Sequence, residues 1–238
     1  MGPIRPRIIR ASCLEGAKKA RGVAVIIDVF RAFSCAPLLF YLGARRLILE
    51  PDPNKALALK NQISGAILVG EVNEVPIEGG DMGNSPSEAL MKGKTFFYGK
   101  TVIHRTTAGV TGAYLAAECC ETIVLGGFVT ARAIADYIVK TAVPEVTLVA
   151  MGSRGKVPSP EDEACADLIE HLITGSPYDH IEAIESIMFH ESTKKFLRGT
   201  KAYLPREDPV FCLQKNIFDF VLIARKKNGV MEAKPVVI

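Results

Sequence analysis

Asp28, Arg31 and Ser34 stand three residues apart, directly after the apolar run Val23-Ala24-Val25-Ile26-Ile27. A carboxylate can hold a divalent cation or act as a nucleophile, a guanidinium grips phosphoryl oxygens in pairs, and a hydroxyl adds a further hydrogen bond. The same hand-over from apolar to polar recurs along the chain: 65–70 runs into Glu71, 101–104 into Arg105-Thr106-Thr107, and 146–151 into Gly152-Ser153-Arg154. Asn84 and Ser85 close a Gly- and Pro-bearing loop at 72–84. Carboxylates, guanidinium and hydroxyls beside glycine-rich turns form the donor set for a phosphate ester with Mg²⁺. The carboxylates suit the hard cation; backbone N–H groups, hydroxyls and guanidinium suit the phosphoryl oxygens. Metal and cation together neutralise those oxygens and activate an attacking water. From the residues alone a plainer reading stands beside this one, in which Asp28 caps a helix and Arg31 pairs with it.

These groups work together only if the fold brings them together. Short β-branched runs read as buried parallel strands, and the segment after each reads as the start of a helix. Strands are expected at 23–27, 46–50, 65–71, 96–98, 101–104, 122–125 and 146–151, and helices at 34–42, 53–63, from Ser85, at 110–118, up to 140, at 160–173 and at 180–197. Ser85, Pro86 and Glu88 have the spacing of a capped helix start. Alternation of this kind predicts an α/β protein, a three-layer α/β/α sandwich on a mainly parallel sheet, whose strand ends converge on one ligand-binding rim. After residue 176 the character changes. Segments 218–224 and 230–237 flank Asn228-Gly229, an antiparallel hairpin signal, read as a C-terminal edge of the sheet or a small lobe over it. The whole chain, 1–238, is read as one α/β domain, with 176–238 as the candidate lobe.

Composition narrows the functional classes. Of 238 residues 48% are hydrophobic and 23% charged, and 29 basic against 26 acidic side chains leave a net charge of +3. That balance, with no basic run interleaved with aromatics, argues against a nucleic-acid surface. The start MGPIRPRIIRASC lacks the apolar core of a signal peptide, and the 36–44 segment, broken by Pro37 and Gly43, is too short to span a bilayer. A cytoplasmic location is expected, with no membrane partner. The six cysteines have no CxxC spacing and read as reduced, mostly buried thiols. A homodimer is the expected assembly on symmetry grounds alone.

Other chemistries fail on spacing. Gly93-Lys94-Thr95 ends like a P-loop, but Glu88 occupies the place of its first glycine. No GxGxxG follows the first of these strands, no GxSxG occurs, and His104, His171, His180 and His190 lack zinc-ligand spacing. An aspartyl-phosphate phosphatase of the haloacid-dehalogenase type would carry a second Asp where Phe30 stands.

Over roughly residues 20–225 the chain resembles the 2-phosphosulfolactate phosphatase family. The resemblance is carried by Asp28-Val29-Phe30-Arg31-Ala32-Phe33-Ser34, by Gly70-Glu71, by Gly79-Gly80-Asp81-Met82-Gly83-Asn84-Ser85-Pro86 and by Thr106-Thr107-Ala108-Gly109. Gly152-Ser153-Arg154-Gly155 followed by Glu161-Asp162, and Glu207-Asp208 followed by Cys212-Leu213, complete it. Two segments depart from the family pattern: Ala108 and Val110 stand where it has an amide and a hydroxyl, and the acidic residue after Cys-Leu is replaced near Asn216. The resemblance implies a Mg²⁺-dependent phosphomonoesterase that converts 2-phosphosulfolactate, or a related small phosphorylated acid, to sulfolactate and phosphate, a step of coenzyme M synthesis. Asp28, Arg31 and Glu71 are expected to be catalytic. Asp28, Glu71 and Asp162 are expected to hold the metal, with Asp28 able instead to serve as nucleophile. Ser34, Asn84, Ser85, Thr106 and Thr107 are expected on the phosphoryl group, and Arg154 on a second anion of the substrate. The rival reading is a phosphoester- or anion-binding protein on the same scaffold, without turnover.

Overall fold

The computed structural model describes residues 6–238; the first five residues of the opening segment lie outside it. In chain order β1 (Arg7–Ser12), α1 (Cys13–Ala17), β2 (Val23–Ile27), α2 (Ala32–Tyr41), β3 (Arg46–Leu49), α3 (Pro53–Gln62), β4 (Ile67–Val72), β5 (Val75–Pro76), α4 (Pro86–Phe97) and β6 (Thr101–Arg105) form the first half. Then come α5 (Gly109–Ala116), β7 (Thr122–Gly126), α6 (Ala131–Thr141), β8 (Glu145–Ala150) and α7 (Pro160–Thr174). The chain ends with α8 (His180–Phe189), α9 (Glu191–Leu197), α10 (Glu207–Cys212), β9 (Phe220–Lys227) and β10 (Val230–Val237).

The strands make a mixed sheet in the order β1-β8-β2-β7-β9-β10-β3-β6-β4-β5. Two parallel blocks, β1-β8-β2-β7 and β3-β6-β4, are joined through the antiparallel β9–β10 hairpin. The period-2 alternation of a strand separates two cores. Ala24 and Ile26 face a core shared with α2, α4 and α5, while Val23, Val25 and Ile27 face one shared with α6 and α7. On that second side α3 covers Ile48, Leu68 and Ile103 through Ala56. Both faces are thus covered, which is why β2 can be apolar at every position.

Local chemistry sets the element boundaries. Asp52 caps α3 by accepting from the Asn54 and Lys55 N–H groups at 2.8 and 3.1 Å, with Pro53 in the first turn. Ser85 caps α4 the same way, its hydroxyl oxygen 3.2 Å from the Glu88 nitrogen. Asn228 and Gly229, at φ 52° and 79°, form the two-residue turn between paired Lys227 and Val230.

Four expectations need correction. The C-terminal hairpin is antiparallel but lies inside the sheet, not at its edge: β9 pairs with β7 and β10 with β3, which buries Val221, Leu222, Ile223 and Ala224. The edges are β1 and β5. Phe96-Phe97-Tyr98 ends α4 instead of forming a strand, because a last turn beyond the kink at Gly93 carries Phe97 into the core. The 180–197 helix is two helices, broken at His190, whose Nδ1 accepts from the Ser192 N–H and caps the second. The opening segment contains an unexpected strand, β1, held on β8 and anchored by Arg10, whose Nη1 lies 2.5 Å from Asp167 and 3.2 Å from Glu170. All six cysteines are unpaired thiols, and among the described residues no helix is long and apolar enough to cross a membrane.

Candidate active site

Four strands separate β2 from β6 in the sheet, yet their C-terminal ends meet. The 106–108 turn and the head of α5 reach back across, so that the Gly109 N–H donates to Asp28 Oδ2 at 2.7 Å. A Cβ on Gly109 would stand 2.7 Å from that oxygen and 2.9 Å from the Ala32 Cβ, so only glycine permits the approach. One cavity opens at this junction. The β2–β8 block lines it with Asp28, Phe30, Arg31, Ser153, Arg154, Glu161 and Asp162; the β4–β6 block adds Glu71, Glu74, Asn84, Thr107 and Ala108. From α9 come Ser192, Lys195 and Phe196.

Arg31 is 4% exposed, and its Nη1 donates to Asp208 Oδ2 at 2.7 Å and to the Tyr203 carbonyl at 3.0 Å. Its guanidinium lies 5.4 Å from the Phe196 ring centre, and the Phe30–Arg31 peptide is cis. Asp208 is fully buried, and its Oδ1 accepts from Ser85 Oγ, Ser87 N and Ser87 Oγ. A guanidinium carries five donors; Nη1 is committed to this anchor, and Arg31 lines the cavity.

The carboxylates are tied by backbone amides. Asp28 accepts from Ala32 and Gly109, and Asp162 accepts from Val29 at 2.8 Å and Gly152 at 2.7 Å, clamping the ends of β2 and β8 together. Glu71 accepts from Thr107 N and Oγ1 and from Glu74 N. Burial pushes the Asp28 carboxyl up to about 6 against its two amide hydrogen bonds, with Glu71 and Glu161 adding repulsion. Burial, then Glu161 and Asp28, hold Asp162 well above the usual carboxylate range. At the mouth, burial tends to raise Glu74, but Lys195, 2.7 Å away, outweighs it and keeps that carboxyl below its ordinary value.

Of the residues singled out in the sequence, Asp28, Arg31, Glu71, Asn84, Thr107, Arg154 and Asp162 line the cavity. Ser34, Ser85 and Thr106 do not. Ser34 donates to the Val29 carbonyl at 2.9 Å, Ser85 supports Asp208, and the Thr106 hydroxyl accepts from the Val110 N–H at 2.9 Å. They build the walls behind the lining residues. Sequence reading overlooked Glu74, Ser192, Lys195 and Phe196 as lining groups and gave Glu161 and Asp208 no role. Only the acidic pairs Glu161-Asp162 and Glu207-Asp208 carried any signal for them, because the Ser192–Glu161 contact at 2.7 Å joins segments 31 residues apart.

The donor set suits Mg²⁺. Asp28, Glu71, Glu161 and Asp162 share one cavity; burial first, and repulsion between the carboxylates second, raise Asp28 and Asp162, and a divalent cation would relieve the repulsion. Among the described residues no three His, Cys, Asp or Glu side chains form a ready-made cage. Mg²⁺ does not require one, since it is commonly held by one or two carboxylates, waters and substrate phosphate.

Residues 10–227 match the family model for 2-phosphosulpholactate phosphatase. A protein from Bacillus subtilis (strain 168), named probable 2-phosphosulfolactate phosphatase, is 31% identical over 218 residues, covering 91% of this chain and 92% of its own length. A protein of the same name from Caldicellulosiruptor saccharolyticus is 32% identical over 216 residues, covering 83% and 87%.

Proposed function

The chain belongs to the 2-phosphosulpholactate phosphatase family, and from that premise we propose that it is a Mg²⁺-dependent phosphoric monoester hydrolase acting on 2-phosphosulfolactate or a closely related small phosphorylated acid. The observation that carries the reading is one cavity lined by a fixed, buried guanidinium and five carboxylates. Arg31, held by Asp208, meets the phosphoryl oxygens as a pre-set fork. Asn84 and Thr107 add donors, and Arg154 at the mouth meets a second anion, such as a sulfonate or carboxylate. Asp28, Glu71 and Asp162 would hold Mg²⁺, which when bound supplies charge neutralisation and lowers the pKa of a coordinated water. Asp28 is tied through both oxygens by Ala32 and Gly109, which suits a fixed ligand better than a group that must swing toward phosphorus. Phe30, Phe196 and Leu204 line the same cavity and limit water, which strengthens each charge interaction inside.

Phosphate release from a panel of phosphomonoesters, with Mg²⁺ and with EDTA, tests the proposal. Release only with Mg²⁺, fastest for small acids with a second anionic group, is the expected result. Tight binding without release under any condition would favour the non-catalytic reading.

The raised carboxyls give a pH prediction of definite sign. A group lifted to about 6 is half-protonated at pH 6, and its proton must leave before it binds a cation. Mg²⁺ affinity should therefore fall as pH drops through 6, and binding near pH 6 should release protons. Titration calorimetry in buffers of different ionisation enthalpy reads that release. Binding with no proton release at pH 6 would mean that Asp28 takes no part.

A further inference from the structure

We infer that His104 is a positioning residue for the proposed reaction: its Nε2–H holds the Asn84 amide so that the amide nitrogen faces the cavity and meets a phosphoryl oxygen. The ligand half of this inference rests on the phosphatase reading above; the orientation of the amide does not.

His104 lies in β6 between β3 and β4, in register with Leu49 and Val69, and is completely buried. Its Nε2 is 3.1 Å from Asn84 Oδ1, while its Nδ1 is buried without a hydrogen-bond partner. An apolar side chain of that size would fill the same space without leaving a polar atom unpaired. The one polar contact the imidazole makes is with a residue that lines the cavity.

Two tautomers fit the contact, and they differ in what they leave behind. With the proton on Nε2, the ring donates to Asn84 Oδ1 and the unpaired Nδ1 is a bare lone pair. With the proton on Nδ1, a donor N–H is buried unbonded. The amide must then turn over, presenting its oxygen to a cavity that five carboxylates already line. The first arrangement avoids both penalties and leaves the Asn84 NH₂ as the donor. Burial also holds the imidazole down to about 4, so the ring stays neutral through the neutral pH range.

The test combines a ligand-free and a ligand-bound measurement. Nitrogen NMR of the imidazole should report the Nε2–H tautomer at pH 6 and pH 8 alike; a resting Nδ1–H tautomer would overturn the inference. Inorganic phosphate with Mg²⁺ is then titrated into wild type, His104→Leu, His104→Gln, Asn84→Ala and the His104→Leu/Asn84→Ala double variant. His104→Leu should keep its melting temperature and weaken phosphate about 10-fold, the scale of one hydrogen bond to a charged group. His104→Gln, which can still donate to Asn84 Oδ1, should recover most of that loss, and the double variant should bind no worse than Asn84→Ala. Unchanged affinity in His104→Leu, or losses that multiply in the double variant, would show that His104 does not act through Asn84. A wild-type protein that binds no phosphate would overturn the ligand half together with the phosphatase reading, with the tautomer result standing apart.

Discussion

Asp28→Asn should abolish phosphate release, by on the order of 10³-fold or more in kcat, while leaving the fold in place. Removing a single charged group that acts in the transition state produces losses of that scale. The substitution is nearly isosteric, and the stability terms oppose each other. Asn has one acceptor oxygen where Asp28 uses two, for Gly109 at 2.7 Å and Ala32 at 3.2 Å, so one amide loses its partner. In return the variant no longer buries a carboxylate that its surroundings push up to about 6. The melting temperature should therefore move by only a few degrees, on the scale of about 1 kcal/mol. Steady-state kinetics beside thermal denaturation separates the two effects. Residual turnover above a tenth of wild type, in a folded protein, would remove Asp28 from the chemistry.

Asp208→Ala has the opposite profile, since stability is lost first. Asp208 is fully buried and receives Arg31 at 2.7 Å, Ser85 Oγ at 2.8 Å, Ser87 N at 3.0 Å and Ser87 Oγ at 2.6 Å. Truncation strands a buried guanidinium and three further donors. Breaking one side of such a pair costs about 3–5 kcal/mol. For a chain of this length that lowers the melting temperature by roughly 6–20 °C. Replacing the pair together, as Arg31→Met/Asp208→Leu, should recover part of the stability because no charge is left unpaired. Activity should stay absent, since the guanidinium itself is gone. A double variant no more stable than Asp208→Ala would show that the hydroxyl and amide contacts, not the ion pair, dominate at this position.

Local chemistry was the legible part of the sequence. The apolar run of β2, the Ser85-Pro86-Glu88 start of α4 and the Asn228-Gly229 turn each report on neighbours a few residues away, and each has the expected form. Pairing at long range was not legible. The hairpin signal predicts antiparallel strands but cannot name β7 and β3 as their partners, so its place inside the sheet was missed. The site divides along the same line. Asp28, Arg31, Glu71 and Asn84 follow strands or glycine-rich loops and could be singled out by position. Lys195, Ser192 and Phe196 come from a short helix whose approach to the cavity depends on tertiary packing alone. Ser34 and Ser85 illustrate the converse: side chains beside the site in sequence, whose hydroxyls are spent on Val29 and Asp208.

A crystal structure of the wild-type protein grown with Mg²⁺ and inorganic phosphate tests the central claim most directly, because it locates cation and anion in one experiment. Phosphate is expected against the Arg31 guanidinium and the Asn84 amide, with the metal on oxygens drawn from Asp28, Glu71 and Asp162 and shared with the anion. Phosphate bound away from Arg31, or Mg²⁺ on carboxylates outside this cavity, would contradict the account.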